Sequence, residues 1–348
     1  MSQDDTVPAS IDKIWYTSAP VPTPLGLASQ LGWFLDEFRG DGIGVYTLRE
    51  GRDDGLHRSH YDHSLEHSFR QGGSAPAMWA RAEGRRTRVI GLNWIDEFQA
   101  IIALPHSGIR KLRDLKGRRL ALPRRRGLEV DHERAAALRG SLVALEIAGL
   151  TQADVAWLDI VLDRPQLARP THRILNNRHP LLANALRECR ADAVYVKGPQ
   201  GAQLVAELGA TVLLDIRAHP DPFVRANHGA PRPLTVDQHL LDARPDIVER
   251  FLRRVVDAGE WAEAHPAETL AYVARETHAD ERWVRAAYGD DLHRHQHTNL
   301  DEQAITALAA YQRFLYLHGF LPGDFDLRAW IATEPLQAIL RERTARAA

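Results

Sequence analysis

Apolar and polar positions along the chain follow two periods, one typical of strands and one typical of helices. Short apolar runs predict strands at 11–17, 42–48, 87–92, 98–104, 153–161, 193–196 and 211–215. Amphipathic stretches predict helices at 74–83, 131–148, 183–188, 247–265, 267–277 and 301–318. The segment 164–180, which is rich in Pro and Arg, is expected to be an irregular loop. This alternation of strands and helices predicts an α/β protein.

One helix start carries a strong local signal. Thr23 followed by Pro24 supplies an N-cap and a first-turn proline. The helix that follows is expected to place three leucines on one side, namely Leu27, Leu31 and Leu35. A single apolar stripe of this kind predicts a helix packed against a sheet.

Composition narrows the functional classes. The chain has 348 residues, which corresponds to roughly two domains. Its apolar runs are shorter than the ~18 residues of a membrane span, so we predict no membrane segment. The single cysteine, Cys189, excludes an intramolecular disulfide, and a formal net charge of −2 gives no electrostatic reason to expect nucleic acid. The acidic N-terminus lacks a signal-peptide pattern, so a cytoplasmic location is expected. No cofactor is expected, and the oligomeric state stays open.

The segment Leu112-Arg-Asp-Leu-Lys-Gly-Arg-Arg-Leu-Ala-Leu-Pro123 resembles the lobe-crossing motif of type II periplasmic binding proteins. The strand Ala191-Asp-Ala-Val-Tyr195 is similar to the strand that leads back to the hinge in those proteins. The resemblance implies a type II periplasmic-binding-protein-like fold, with two α/β lobes around a ligand cleft and a hinge between them. Residues 1–104 would begin lobe I, 105–215 would form lobe II, and 216–348 would return to lobe I with the C-terminal helices.

Within that fold, the chain more closely resembles the 2′-hydroxybiphenyl-2-sulfinate desulfinase family. The resemblance rests on Tyr16-Thr-Ser-Ala-Pro-Val-Pro-Thr, on His60 placed ten residues before Arg70, and on the Arg70-Gln-Gly-Gly73 turn. It implies that His60 assists a nucleophile, while Arg70 and the Gly73 amide hold the sulfinate oxygens. The family's nucleophile is a cysteine immediately before Pro-Val-Pro.

That nucleophile position is occupied here by Ala19. A methyl group can neither attack sulfur nor transfer a proton. Either the protein has natively lost the thiol chemistry, or the cysteine was replaced by alanine in order to trap a bound ligand. Ser18 is the neighbouring alternative nucleophile, although alternation along the strand would point it away from the direction of Ala19.

The same segment predicts an anion site without reference to any family. Gly72 and Gly73 allow the backbone to approach a ligand, and Arg70 offers a bidentate fork. Ser74 is expected to cap a helix with Pro76 in its first turn, and the free N–H groups of that helix would point at the anion. The competing interpretation is an ordinary glycine turn with Arg70 paired to a surface carboxylate. Two aromatic residues, Trp15 and Tyr16, are possible cleft-lining residues for a hydrophobic ligand.

Histidines are concentrated just before this turn, at positions 57, 60, 63 and 67. On a helix, His60, His63 and His67 would share one face, where they could bind Zn²⁺ or Fe²⁺. The spacing completes no recognised metal motif, so we predict no metal site. The alternatives are that His60 is a polar or acid/base contact, with His63 lining the cleft, or that the histidines are surface residues.

Two functions remain in competition. The leading hypothesis is an enzyme that binds a small, aromatic or hydrophobic organic sulfinate or sulfonate and cleaves its C–S bond. With Ala19 in the nucleophile position, the chain would be an inactivated copy or would use His60 in a divergent reaction. The alternative is a non-catalytic cytoplasmic binding protein for an organic anion.

Overall fold

Two five-stranded sheets organise the molecule in a computed structural model that describes residues 11–48, 54–162 and 178–347. The first sheet has the strand order β2-β1-β3-β10-β4, and the second has the order β7-β6-β8-β5-β9. The strands are β1 Lys13–Ser18, β2 Gly44–Thr47, β3 Ser68–Gln71, β4 Thr87–Asn93, β5 Gln99–Ala103, β6 Arg119–Arg125, β7 Ala156–Leu162, β8 Ala193–Lys197, β9 Thr211–Asp215 and β10 Arg232–Asp237. The predicted loop at 164–180 lies largely outside the described residues.

Helices cover both sheets. In the first half they are α1 Pro24–Gln30, α2 Trp33–Phe38, α3 Asp54–Asp62, α4 Ser74–Ala82, α5 His132–Ile147, α6 Arg178–Arg187 and α7 Gly198–Leu208. In the second half they are α8 Pro222–Arg225, α9 Gln238–Ala243, α10 Pro245–Ala264, α11 Pro266–Thr277, α12 Glu281–Tyr288, α13 Glu302–Leu317, α14 Leu327–Trp330 and α15 Glu334–Ala347. Within the described ranges, none of these helices has the length and apolar character needed to cross a membrane.

The chain crosses from the first sheet to the second and later returns. β1 lies parallel to β2 and β3, whereas the late strand β10 is antiparallel to β3 and β4. β5 is antiparallel to β8 and β9 in the second sheet. The predicted first part of lobe I, residues 1–104, includes β5, but this strand joins the second sheet. The first crossing therefore lies between β4 and β5.

The predicted helix after Thr23 is correct in its start and wrong in its length. Thr23 accepts a hydrogen bond from the Gly26 N–H group, as an N-cap does, and the helix ends at Gln30. Gly32 follows with a φ of 79°, a left-handed conformation that glycine adopts without strain, and a second helix begins. Leu35 is consequently 57% exposed and does not share a buried stripe with Leu27.

A stack of three phenylalanines anchors the strand that carries the predicted site. The Phe69 ring of β3 lies 3.8 Å from the ring of Phe251 in α10. Phe251 in turn lies 4.0 Å from Phe34 of α2. All three are essentially buried, and such packing fixes β3 against the helical layer. Because strand residues alternate, this contact turns the neighbouring Arg70 toward the opposite face of the sheet.

Candidate functional site

Arg70 is a buried cation in the middle of the first sheet. It is 4% exposed, and β3 pairs it with Thr17 of β1 and Thr235 of β10. Its Nε donates to the His60 carbonyl at 2.9 Å, and its Nη2 donates to the Gly73 carbonyl at 3.1 Å. Nη1 is buried and has no hydrogen-bond partner within the described part of the chain.

The charge of Arg70 is not neutralised by a carboxylate in the described ranges. Its two hydrogen bonds go to carbonyl oxygens, and no ion pair to it is present there. Burial lowers the pKa of Arg70 to about 10, because the charged form loses its hydration. A buried charge and an unpaired N–H group both carry a free-energy cost, which an anionic ligand would remove. The lack of a carboxylate partner within the described ranges argues against the competing interpretation of an arginine paired to a surface carboxylate.

His60 lies beside Arg70 on the last turn of α3. Its Nδ1 is 2.9 Å from the Thr17 hydroxyl, and its ring packs edge-on against Tyr61 at 4.9 Å. Thr17 is the direct neighbour of Arg70 in the parallel pairing of β1 and β3. The imidazole of His60 therefore contacts β1, the strand paired with β3, and the backbone carbonyl of His60 contacts the guanidinium of Arg70.

Ala19 and Gly72 meet next to the Arg70 guanidinium. The Ala19 N–H group donates to the Gln71 carbonyl at 3.0 Å, which holds the chain after β1 against the end of β3. A Cβ on Gly72 would lie 2.7 Å from the Ala19 methyl and 3.4 Å from Arg70 Nη2. Gly72 therefore leaves the space that the Ala19 methyl occupies near the Arg70 guanidinium.

The start of α4 differs from the expectation. The N-cap is Gly73, without a side-chain cap, and Ser74 is the first helical residue. The Ser74 N–H group donates to the His228 carbonyl at 3.0 Å, and the Ala75 N–H group donates to His228 Nδ1 at 3.4 Å. These two amides are therefore not free to bind an anion, and the prediction that they would be is wrong. The Gly73 N–H group makes no hydrogen bond within the described part of the chain.

His228 was missed by the sequence analysis. It lies more than 150 positions from the glycine turn, in a short segment that returns from the second sheet. A Cβ on Gly73 would lie 2.2 Å from the His228 ring, so the glycine lets this imidazole cover the turn. The signal in the sequence was only Asn-His-Gly-Ala-Pro, which predicts a turn and not its partner.

We expect Gly73→Ala to destabilise the fold by about 1–3 kcal/mol, because the new methyl group overlaps the His228 ring and forces it away. Thermal unfolding of the two variants Gly73→Ala and Gly40→Ala measures this effect. Gly40 is exposed and has open space around its Cα, so its substitution serves as the matched control. Equal unfolding temperatures for both variants would contradict the contact between Gly73 and His228.

The histidines do not share a helix face. Only His60 of the three lies within α3, since His63 and His67 follow it with φ values of 51° and 52°. The side chain of His57 lies outside the described residues. Among the described residues, no group of three or more His, Cys, Asp or Glu side chains is arranged to hold a metal ion. The single-face arrangement that the metal hypothesis required is therefore wrong.

His63 is partly buried and lies near Arg70, and its Nε2 atom is shielded from solvent. Its Nδ1 is 3.5 Å from the Thr235 hydroxyl, and Nε2 has no hydrogen-bond partner in the described ranges. Burial, together with the positive charges of Arg70 and Arg85, lowers the pKa of His63 well below 6.5. The ring therefore stays neutral beside the cation at neutral pH.

Acidification should destabilise the protein through His63. Its pKa is lower in the folded state than in the unfolded state, so the unfolded chain binds the extra proton below pH 6.5. The contribution of neutral His63 to the free energy of unfolding is present above pH 6.5. It is lost as the pH falls, and the free energy of unfolding then decreases by up to about 1.4 kcal/mol per pH unit. Unfolding temperatures between pH 7.5 and 5 should fall less steeply for His63→Asn, since asparagine tolerates the left-handed conformation. If the unfolding temperatures of the parent protein and of His63→Asn fell equally with pH, His63 would not be the source of the acid sensitivity.

The predicted cleft-lining residues of β1 have partners inside the first lobe. The Trp15 ring is 5.2 Å from the Tyr46 ring of β2. The Tyr16 ring is 5.3 Å from Phe34, and its hydroxyl is 2.6 Å from the Ser29 hydroxyl. A ligand contact by either ring stays a prediction, as does a role for Ser18, whose side chain lies outside the described residues.

Comparison with known proteins gives relatives that cover nearly the whole chain. No family model matches the sequence. The 2′-hydroxybiphenyl-2-sulfinate desulfinases of Rhodococcus erythropolis and Rhodococcus qingshengii are each 27% identical over 354 residues, covering 93% of this chain and 92% of theirs.

Solved structures agree with these relatives. A mutant of the desulfurization enzyme DszB in complex with biphenyl-2-sulfinic acid gives a TM-score of 0.75 at 23% identity, covering 96% of this chain and 100% of that one. The periplasmic aliphatic sulphonate binding protein SsuA of Escherichia coli gives a TM-score of 0.65 at 14% identity, covering 93% of each chain. The chain therefore has the type II periplasmic-binding-protein-like fold, and its similarity to the 2′-hydroxybiphenyl-2-sulfinate desulfinases is confirmed along almost its full length.

Proposed function

We propose that this protein binds a small organic sulfinate or sulfonate anion between two lobes, with the anionic group held by Arg70. The observation that carries the proposal is the buried guanidinium, whose Nη1 lacks a partner and whose charge lacks a carboxylate in the described ranges. A sulfur oxyanion offers two or three oxygens that can accept from Nη1 and from the Gly73 N–H group together. Charge-assisted hydrogen bonds of this kind are among the strongest that proteins make.

The relatives support this ligand class. One structural neighbour carries biphenyl-2-sulfinic acid, and another is named as a sulphonate-binding protein. A sulfur oxyanion on an organic group is the chemistry that both names share. Phosphate or a simple carboxylate would satisfy the same charge, so the experiment must compare them directly.

Cleavage of the C–S bond is the second candidate function. His60 favours it, because the imidazole is held by Thr17 next to the guanidinium, where a bound sulfur oxyanion would lie. Ala19 removes the route through a thiolate. In the remaining route, neutral His60 takes a proton from water, the water oxygen bonds to sulfur, and the C–S bond breaks. The carbon takes up a proton, so that sulfinate and water give the desulfinated product and hydrogen sulfite.

Calorimetric titration tests binding, and a sulfite assay tests cleavage. We expect benzenesulfinate and benzenesulfonate to bind, and the cation benzyltrimethylammonium not to bind. Tighter binding of inorganic phosphate or benzoate than of either sulfur compound would contradict the proposed ligand class. If benzenesulfinate binds and releases sulfite, the release should fall by about 100-fold in His60→Gln. Binding without sulfite release would leave the protein as a binding protein only.

A further inference from the structure

A small cavity lies against the second sheet. Its walls come from β6 and β8 and from the helices α5 and α6. β6 and β8 are parallel, and Pro123 and Lys197 place the cavity toward their carboxyl ends. In the first sheet, Ala19, Gly72 and Gly73 likewise follow the carboxyl ends of the parallel strands β1 and β3. Ligands bind at such ends in open α/β sheets, so the cavity and the anion site form two parts of one expected ligand site.

His228 connects this cavity to the anion site. Its side chain lines the cavity, and a Cβ on Gly73 would lie 2.2 Å from its ring. The Gly73 carbonyl in turn accepts from Arg70 Nη2 at 3.1 Å. The same imidazole therefore borders both the cavity and the glycine turn that binds the guanidinium. An organic group attached to an anion at Arg70 enters the cavity by extending past this ring.

The cavity is small, and its walls are firmly packed. Its volume is about 30 Å³, whereas about 15 Å³ on this measure holds one water molecule, so the cavity admits about two heavy atoms. Tyr195 forms one wall, where its hydroxyl donates to Gln99 Oε1 at 3.1 Å and a Cβ on Gly140 would lie 2.3 Å from its ring. Closely packed walls of this kind yield little to a larger group. A phenyl ring is therefore too large for the cavity.

Apolar side chains make up much of the cavity wall. Ala136 and Ala137 come from α5, Leu182 comes from α6 and Val196 comes from β8, and all four residues are buried. Alanine has the smallest side chain that carries a Cβ, so the two alanines leave space that a larger residue would fill. A methyl group placed among these side chains is removed from water, which favours binding.

The charged residues of the wall are bound to neighbouring groups. Glu133 Oε2 accepts from Arg125 Nε at 2.7 Å, and Lys197 Nζ donates to Glu97 Oε1 at 2.6 Å. A polar substituent in the cavity would lose its hydration and would have to compete with these contacts, whereas an apolar one leaves them intact. The chemistry of the wall therefore favours an apolar substituent.

We propose that this cavity is a specificity pocket for one small apolar substituent, of the size of a methyl or ethyl group, on the organic anion. The inference rests on the proposed function, since Arg70 holds the sulfinate or sulfonate group. The organic group passes the His228 ring, and its substituent enters the space lined by Ala136 and Leu182. The ligand is therefore a sulfinate or sulfonate whose organic group carries a small alkyl substituent there, and a second aromatic ring at that position is excluded by its size.

Calorimetry on the full chain tests the pocket with benzenesulfonate and the 2-, 3- and 4-methylbenzenesulfonates. We expect one methyl isomer to bind about tenfold more tightly than benzenesulfonate, as a methyl group gains in an apolar pocket that fits it. The biphenylsulfonate with its phenyl group at the same ring position should bind at least about tenfold more weakly than that isomer. The corresponding hydroxybenzenesulfonate should bind no more tightly than benzenesulfonate, because burial of the hydroxyl costs its hydration.

Variants of the wall test whether the preference arises in this cavity. Ala136→Val fills the cavity, so the preference for the methyl isomer should fall below about threefold. Leu182→Ala enlarges it, so the biphenylsulfonate should gain at least about fivefold in affinity relative to the methyl isomer. Leu181→Ala is the matched control, since Leu181 is the exposed neighbour of Leu182 on α6 and does not line the cavity. It should leave both affinity ratios unchanged.

The outcomes separate the pocket from the proposed function. If benzenesulfonate binds but no methyl isomer binds more tightly, or if the biphenylsulfonate binds as tightly as the best methyl isomer, the pocket is overturned and the proposed function stands. A methyl preference that survives Ala136→Val, or that Leu181→Ala removes as well, also overturns the pocket. If none of the sulfonates binds the parent protein, the proposed function itself has failed. The ligand series on the parent protein and the Ala136→Val variant decide the question even if Leu182→Ala does not fold.

Discussion

Arg70→Gln should weaken the binding of benzenesulfonate by at least about 100-fold, because it removes the buried charge and the unpaired Nη1 donor together. The remaining hydrogen bonds to the His60 and Gly73 carbonyls can be made in part by the glutamine amide, so the fold should survive. The parent protein keeps its arginine charged at neutral pH, since burial lowers its pKa only to about 10. Isothermal titration at low ionic strength measures the loss.

Two further variants make the result specific to Arg70. Arg70→Lys keeps a positive charge but loses the planar fork, so its affinity should lie between those of the parent protein and Arg70→Gln. Arg110→Gln changes an exposed arginine that donates to the Pro105 carbonyl, and it should leave the affinity unchanged. Similar losses in Arg110→Gln and Arg70→Gln would mean that the anion is attracted by net charge alone. Unaltered affinity in Arg70→Gln would rule out the site.

The fold could be predicted from sequence because its signals are local. Apolar runs predict most strands of both sheets but not β3 or β10, and the pair Thr23-Pro24 predicts the start of α1. The error at Leu35 arose because a helical stripe was extended across Gly32, whose left-handed φ ends the helix. The placement of β5 in the second sheet was missed for a different reason. Sheet membership depends on pairing between distant segments, and apolar periodicity carries no information on that pairing.

The anion site could be predicted only in part. Arg70, Gly72 and Gly73 are close in sequence, and the structure brings them together with Ala19 and His60 as the resemblance implied. The roles of these residues remain predictions. The prediction for the start of α4 is wrong because its Ser74 and Ala75 amides donate to His228, which is more than 150 positions away along the chain. Local sequence does not show whether an N–H group at a helix start is free when its partner lies in a distant segment of the chain.

Ala19→Cys should confer sulfite release from an aryl sulfinate, at a rate at least about 100-fold above that of the parent protein. The Ala19 methyl lies beside the position of a Gly72 Cβ and close to the Arg70 guanidinium, so the new sulfur would lie next to a bound sulfinate. The nearby positive charge should lower the pKa of the introduced thiol and favour the thiolate. Thiolate attack on sulfur would break the C–S bond, the carbon would take up a proton, and water would then release sulfite and the thiol.

Ala19→Ser is the matched control for this gain of activity, because it adds a group of similar size that is a far weaker nucleophile at neutral pH. It should release no more sulfite than the parent protein. The double variant Ala19→Cys, Arg70→Gln should lose the activity, since the sulfinate is no longer held and the thiol is no longer beside a cation. Benzenesulfinate is the substrate for all of these variants. Absence of sulfite from Ala19→Cys, while benzenesulfinate still binds, would show that the site holds the anion in an orientation unsuited to attack on sulfur.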